Sequence, residues 1–258
     1  MGRGRPKGRD IHGWLVMHKP AGISSAHAVA IVKRLTQAAK VGHGGTLDPF
    51  SEGLLPMALG HATKRIAQVL EGDKAYRCWI RFGTETDSGD PTGQVTERTD
   101  FLPERAALEA ALLRFTGVQE QVPPAYSAVH VGGERAYALA RRGEEVVLPA
   151  RSVVIHALHL EAYSDGLALV DVRCGKGTYM RSLARDLGRH LGSFAHLQRL
   201  LRTETLGFSL AESITLERLS QAVEQGELAA LLLPVDRVLD DIPASRLRSA
   251  SSGITHTQ

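Results

Sequence analysis

The chain has 258 residues, of which 43 % are hydrophobic and 23 % charged, enough for one large domain with a full core. A net charge of +3 names no polyanionic partner by itself, and no apolar run approaches the length of a bilayer span. The first residues lack the apolar stretch of a secretory leader, so the chain reads as cytosolic.

Ile11 to Met17 is a short apolar run that predicts a strand, ending in His18-Lys19-Pro20-Ala21-Gly22. Ser24-Ser25 supply N-cap chemistry for a helix from about Ala26 to Ala38, with Val29, Val32 and Leu35 on one face. A Gly/Pro-rich loop around Asp48 follows, then a helix from Gly60 to Leu70. Ala75 to Gly83 alternates as a strand does, with Tyr76, Cys78, Ile80 and Phe82 on one side and Arg77, Trp79 and Arg81 on the other. Asp87-Ser88-Gly89-Asp90-Pro91-Thr92-Gly93 is a loop by composition, and Pro103 to Phe115 a helix with proline at its start. His130 to Arg135 reads as a hairpin tip leading into a short basic helix that ends near Gly143. Strands are predicted at Val153–Tyr163 and Ala168–Cys174, a helix from Tyr179 to Leu191, a strand near Leu200–Phe208 and a helix from Leu216 to Gln225. Strands and helices without steady βαβ alternation indicate an α+β domain with a large mixed or antiparallel sheet over residues 11–240. Residues 1–10 form a basic tail and 241–258 a short polar one.

The strongest backbone constraint surrounds one ionisable group, in Val41-Gly42-His43-Gly44-Gly45-Thr46-Leu47-Asp48-Pro49. The glycines permit positive φ and close approach of a ligand, and Pro49 pushes Asp48 out of the helical region. Asp-Pro pairs also start turns, so the local pattern fits a capping aspartate as well as one facing a pocket. The loop lacks both the GxGxxG spacing and the terminal Gly-Lys-Ser/Thr of nucleotide loops, and no G-x-S-x-G elbow occurs. Cys78 and Cys174 lie far apart in apolar runs and read as buried thiols, and the 11 histidines show no metal spacing. Tyr76 and Tyr179 could stack on a base, and Arg181 could hold a carboxylate ionised. Each alone is better explained as a core or surface residue. Arg173, Lys176, Arg181, Arg185 and Arg189 form a basic concentration that fits contact with phosphates or a solvated helix face.

Several motifs in order resemble the TruB-type tRNA pseudouridine(55) synthases. They are Lys19-Pro20-x-Gly22-x-Ser24-Ser25, the Asp48 segment with Gly53-Leu54-Leu55-Pro56, Lys74-x-Tyr76, Thr84-x-Thr86-Asp87, Pro123-Pro124-x-Tyr126-Ser127-Ala128 and Gly175-Lys176-Gly177-Thr178-Tyr179-x-Arg181-x-Leu183. The resemblance implies the pseudouridine synthase fold, a mainly antiparallel mixed sheet flanked by helices and loops, with an inserted RNA-clamping segment at His130–Arg142. It implies a monomeric isomerase that needs no cofactor or metal and turns one T-loop uridine of tRNA into pseudouridine. Asp48 matches the nucleophile, Tyr76 the tyrosine stacked on the flipped base, and Arg181 the arginine paired with the aspartate. His43, Tyr179 and Leu200 match positions at the uridine pocket, and Lys19 and Lys64 supporting or RNA-facing ones. Leu201 stands where an arginine is common in the family, and the small C-terminal PUA domain that members usually carry is expected to be absent or vestigial. A tRNA-binding or tRNA-folding protein on the same scaffold, with little catalysis, and an RNA-guided member with protein partners are the rival readings. Flipping a base costs a few kcal/mol, and stacking on an aromatic ring offsets about 1–3 kcal/mol of it.

Overall fold

A computed structural model describes residues 8–127, 129–131, 133–144 and 146–238. The expected tail residues 1–7 and 241–258 lie outside the described residues. The strands, in chain order, are β1 (Gly13–Lys19), β2 (Val41–His43), β3 (Glu52–Leu59), β4 (Lys74–Phe82), β5 (Thr84–Thr86), β6 (Val95–Arg98), β7 (Gly117–Gln121), β8 (His130–Val131), β9 (Glu134–Arg135), β10 (Arg151–Ser164), β11 (Leu167–Cys174), β12 (Ala195–Thr205) and β13 (Phe208–Ser209). The helices are α1 (Ser25–Thr36), α2 (Ile66–Glu71), α3 (Arg105–Arg114), α4 (Ala136–Arg141), α5 (Met180–His190) and α6 (Leu216–Glu224).

Nine strands form one sheet in the order β1-β3-β12-β4-β11-β10-β7, with β2 added to β3 and β13 to β12. Every pairing is antiparallel except the short parallel contact of β12 with β3, so the sheet is mixed and mainly antiparallel, as the sequence implied. The alternation in β4 is realised: Cys78, Ile80 and Phe82 are buried with Val170 and Val172 of β11 beneath Leu183 and Leu187 of α5. Ser24 caps α1 by accepting from the His27 amide at 3.1 Å. Among the described residues no helix is long and apolar enough to cross a membrane.

The short strands β2, β5, β6 and β13 were not foreseen, β12 begins at Ala195 and not near Leu200, and three further departures have a clear physical reason. Residues 52–59, taken as loop, are the strand β3. It is buried on both faces, against Leu15, Met17, Ala28 and Leu219 on one and Trp14, Val16 and Phe208 on the other, so its apolar run shows no alternation. Pro56 is tolerated because its carbonyl accepts from the Gly44 amide, on the side where β2 has ended and β12 has not yet begun. Its missing N–H falls in that gap. The polar strand β7 went unseen because it is a sheet edge paired only with β10. The predicted helix at 60–70 is a 3-10 turn over Gly60–Arg65 followed by α2. In addition, Arg9 of the expected tail is pinned, its amide donating to the Gln37 carbonyl at 2.7 Å and its carbonyl accepting from Ala39 at 2.9 Å.

The parallel junction depends on Gly53. Its φ is +104°, and a Cβ there would lie 2.5 Å from the Arg202 carbonyl oxygen, which is backbone and cannot step aside. Gly53→Ala is expected to lower stability by more than about 1 kcal/mol, read as a fall in the urea midpoint at unchanged slope.

Candidate active site

Asp48 sits on the loop between β2 and β3, above the point where β12 joins β3. That loop is tied from below. The Ser25 hydroxyl donates to the Leu47 carbonyl at 2.9 Å and accepts from the Leu47 amide at 2.8 Å. The Lys19 ammonium, buried to 1 % exposure, donates to the carbonyls of Pro20 and Ile23 at 2.8 Å and reaches that of Pro49 at 3.5 Å. Burial pulls the Lys19 pKa down to about 8, against the opposing pull of Asp48 and Glu52. Lys19 is thus placed as a support behind the loop.

The Arg181 guanidinium closes the loop from the other side. Its Nε lies 2.9 Å from Asp48 Oδ2, while Nη1 donates to the Ser88 carbonyl at 2.8 Å and Nη2 to that of Tyr126 at 2.7 Å. Asp90 stands 3.7 Å from Nη1. The Asp90 carboxylate is itself held, accepting at Oδ1 from the Ser88 hydroxyl and the Thr92 amide, both at 2.9 Å, and from the Thr92 hydroxyl at 2.5 Å. The Arg181 side chain is 5 % exposed and that of Asp48 35 %, so the arginine is sealed in and the carboxylate is left open to the cavity.

Pairing with Arg181 was expected to hold Asp48 ionised. Arg181 does favour the charged form, and burial is the larger of the two opposing influences on the pKa. Desolvation raises the Asp48 pKa above the ordinary carboxylate value, Arg181 pulls it back, and Asp90 adds to the rise. Tyr76, opposite Arg202 on the adjacent strand, is pushed up to about 12, chiefly by burial, and is therefore a protonated phenol at neutral pH. Burial also raises Tyr179.

The backbone of Tyr179 is gripped by a side chain absent from the sequence reading. Gln121 Oε1 accepts from the Tyr179 amide at 2.7 Å and its Nε2 donates to the Tyr179 carbonyl at 3.0 Å. This mimics a strand pairing and fixes the chain where it enters α5.

These parts line a cavity of about 850 Å³, whose walls include Asp48, Tyr76, Tyr179, Arg181 and Leu200. The volume lies in the range of small-molecule and cofactor pockets. His43 ends β2 outside this lining, half-buried, its pKa lowered by burial and then by Arg202. Lys64 is exposed on the 3-10 turn and does not line the cavity. The cavity does include Lys74, Asp90 and Arg202, which the sequence reading gave no role. Lys74 donates to the carbonyls of Leu70, Val69 and Gly72, and burial lowers its pKa to about 8. Its place two residues before Tyr76 was the available signal. Among the described residues no group of three or more His, Cys, Asp or Glu is placed to hold a metal ion.

Solved structures share this architecture. A chain from a Cbf5-Nop10-Gar1 complex superposes with a TM-score of 0.71 at 24 % identity, covering 94 % of this chain and 68 % of that one. One from the archaeal box H/ACA sRNP Nop10-Cbf5 complex superposes at 0.69 with 22 % identity, covering 97 % and 74 %. The class is the pseudouridine synthase fold, with an aspartate and an arginine meeting in the cavity over its central strands. The family is narrower. A model of the TruB family pseudouridylate synthase N-terminal domain matches residues 33–180, and one of the tRNA pseudouridylate synthase B C-terminal domain matches residues 181–240. The chain belongs to the TruB family. It is similar to the tRNA pseudouridine synthase B of Rhodopseudomonas palustris, 47 % identical over 99 % of this chain and 72 % of that protein. That of Bradyrhizobium diazoefficiens is 47 % identical over 96 % and 74 %.

Replacing Gln121 by leucine leaves the Tyr179 amide unpaired, while its carbonyl still accepts from the Leu183 amide at 3.0 Å. Gln121→Leu is expected to lower stability by about 1–3 kcal/mol, measured by chemical denaturation.

Proposed function

We infer that this chain converts a uridine in the T-loop of tRNA to pseudouridine, with Asp48 as the carboxylate that acts on the ribose. The observation that carries the residue assignment is the Arg181–Asp48 contact of 2.9 Å at the wall of the cavity. The buried partner is the cation and the more open one the carboxylate, which suits a nucleophile that must meet an incoming sugar.

The reaction is an isomerisation. The N1–C1′ bond of the uridine breaks, the uracil turns, and a C5–C1′ bond forms. C5 gives up its proton and N1 ends by carrying one, so atoms and electrons balance with no added reagent. Direct attack on C1′ and assisted formation of a glycal both place an ionised Asp48 beside the sugar. Because the uridine must leave its stack, the cavity needs an aromatic surface to receive it, and Tyr76 lies in the wall to do so. Tyr179 and Leu200 bound the same space from α5 and β12. Proton transfer at Tyr76 starts from the neutral phenol.

The β8–β9 hairpin and α4 are assigned to RNA contact. Tyr137 of α4 lines the cavity, whereas Arg142 is neutralised locally by Glu134 and Glu144 at 2.9 and 2.5 Å. RNA contact through this insert thus rests on its shape and aromatic surface more than on the charge of Arg142. A monomer acting in the cytoplasm completes the reading.

Incubation with unmodified tRNA followed by mapping of pseudouridine tests it. Wild type is expected to form product, and Asp48→Asn to slow it by more than about 1,000-fold while tRNA affinity changes little. Absence of product from the wild type overturns the activity, and equal product from both overturns the role of Asp48.

The pH dependence has a defined sign. The carboxylate must be ionised and its pKa is raised, so the single-turnover rate is expected to fall, on acidification, at a higher pH than an ordinary aspartate would give. Stability runs the other way. A raised carboxylate pKa favours the fold below the unfolded-state value and loses that contribution as pH rises through the folded one. The stability of Asp48→Asn relative to wild type should therefore grow between acidic and neutral pH, checked by denaturation at a series of pH values.

A further inference from the structure

Arg202 is a buried arginine of the site that forms no ion pair with a carboxylate among the described residues. The residue is 1 % exposed, yet it borders the same cavity as Asp48 and Tyr76. Its Nε donates to the Leu54 carbonyl at 2.8 Å and its Nη2 to the Gly45 carbonyl at 3.0 Å, and Tyr76, its register partner on β4, feels its charge. None of these partners is a carboxylate. Burying a guanidinium against two carbonyls and a phenol stabilises a fold poorly, because desolvation of the charge is only partly offset. A neutral side chain of similar volume would fill the space more cheaply.

What the guanidinium does achieve is a fixed geometry. Gly45 begins the segment that carries Asp48, Leu54 lies on β3 just beyond it, and Tyr76 lies on β4. The planar fork bonds the first two at once while its own strand sets it opposite the third, which the single point of a lysine ammonium does not reproduce. Gly45 is fitted to it: its φ is +110°, and a Cβ there would stand 3.2 Å from Nη1.

We propose that Arg202 is a positioning residue of the reaction, holding the Tyr76 hydroxyl and the Asp48 loop in one relative arrangement so that ring and carboxylate meet the same nucleotide. This rests on the reading of Asp48 and Tyr76 given above. Arg202 acts through those two groups. Its contribution therefore falls on the chemical step and not on tRNA binding, and it vanishes when the Tyr76 hydroxyl is gone.

A double-mutant cycle tests this under single turnover with saturating tRNA. The proteins are wild type, Arg202→Lys, Tyr76→Phe and the double variant, with tRNA affinity and thermal unfolding measured alongside. Arg202→Lys, which keeps the charge and most of the volume, is expected to slow the chemical step by about 10- to 100-fold with affinity within about threefold. In the Tyr76→Phe background the same substitution should slow it by less than about threefold. A wild-type rate for Arg202→Lys, or an equal penalty in both backgrounds, overturns the proposal while leaving the site assignment in place. A wild-type rate for Tyr76→Phe overturns the assignment of Tyr76 and the proposal with it. Should Arg202→Lys unfold at the assay temperature, Arg202→Gln is taken through the same cycle below its unfolding temperature, with the same outcomes deciding.

Discussion

The site is organised around the planar guanidinium of Arg181. It reaches Asp48 on the loop after β2, the Ser88 carbonyl on the loop after β5 and the Tyr126 carbonyl after β7. Three excursions of the chain thus converge on one buried cation that is carried by the first turn of α5. A cation so placed must be matched, and the structure matches it with one carboxylate in contact and a second, Asp90, at 3.7 Å. Asp90 opposes the ionisation of Asp48, and burial opposes it more. The result is an aspartate whose charge is sustained by one neighbour and strained by its surroundings, which is the condition of a reactive group and not of an optimised ion pair.

A second layer of constraint lies behind that pair. Lys19 and Lys74 are withdrawn from solvent and solvated by backbone carbonyls, and burial brings both down to about 8. Their carbonyl partners belong to the segments that frame the cavity: Pro20, Ile23 and Pro49 beside the Asp48 loop, and Val69, Leu70 and Gly72 ahead of Tyr76. Each lysine thus converts a flexible connection into a bracket, using peptide dipoles in place of secondary structure. Gln121 does the same for the entry to α5 with a neutral side chain.

Much of this fold was legible in the sequence where one face of an element is wet. β4 and α1 announce themselves through alternation or helical periodicity, because water on one side makes the pattern. β3 does not, being buried on both faces and containing Gly53 and Pro56, and β7 does not because it is a polar edge. At the site, Asp48, Tyr76 and Arg181 could be named only because their motifs resemble a known family; residue by residue, each had a blander reading. Arg202, Asp90 and Gln121 were beyond reach for a physical reason. Their roles are defined by partners 58 to 157 positions away or by a loop whose packing no local pattern encodes. His43 shows the converse, since a motif position does not by itself place a side chain in the cavity lining.

The clamp of Arg202 on the Asp48 loop joins residues separated by 157 and 148 positions along the chain. Such closures carry a large entropic cost and come late in folding. During synthesis, a nascent chain that has exposed the Asp48 loop and β4 still lacks Gln121, Arg181 and Arg202, which follow in that order. The reactive carboxylate therefore acquires its geometry only after most of the domain has left the ribosome. Assembly of the site becomes a readout of completed synthesis: a truncated chain carries Asp48 without the side chains that aim it.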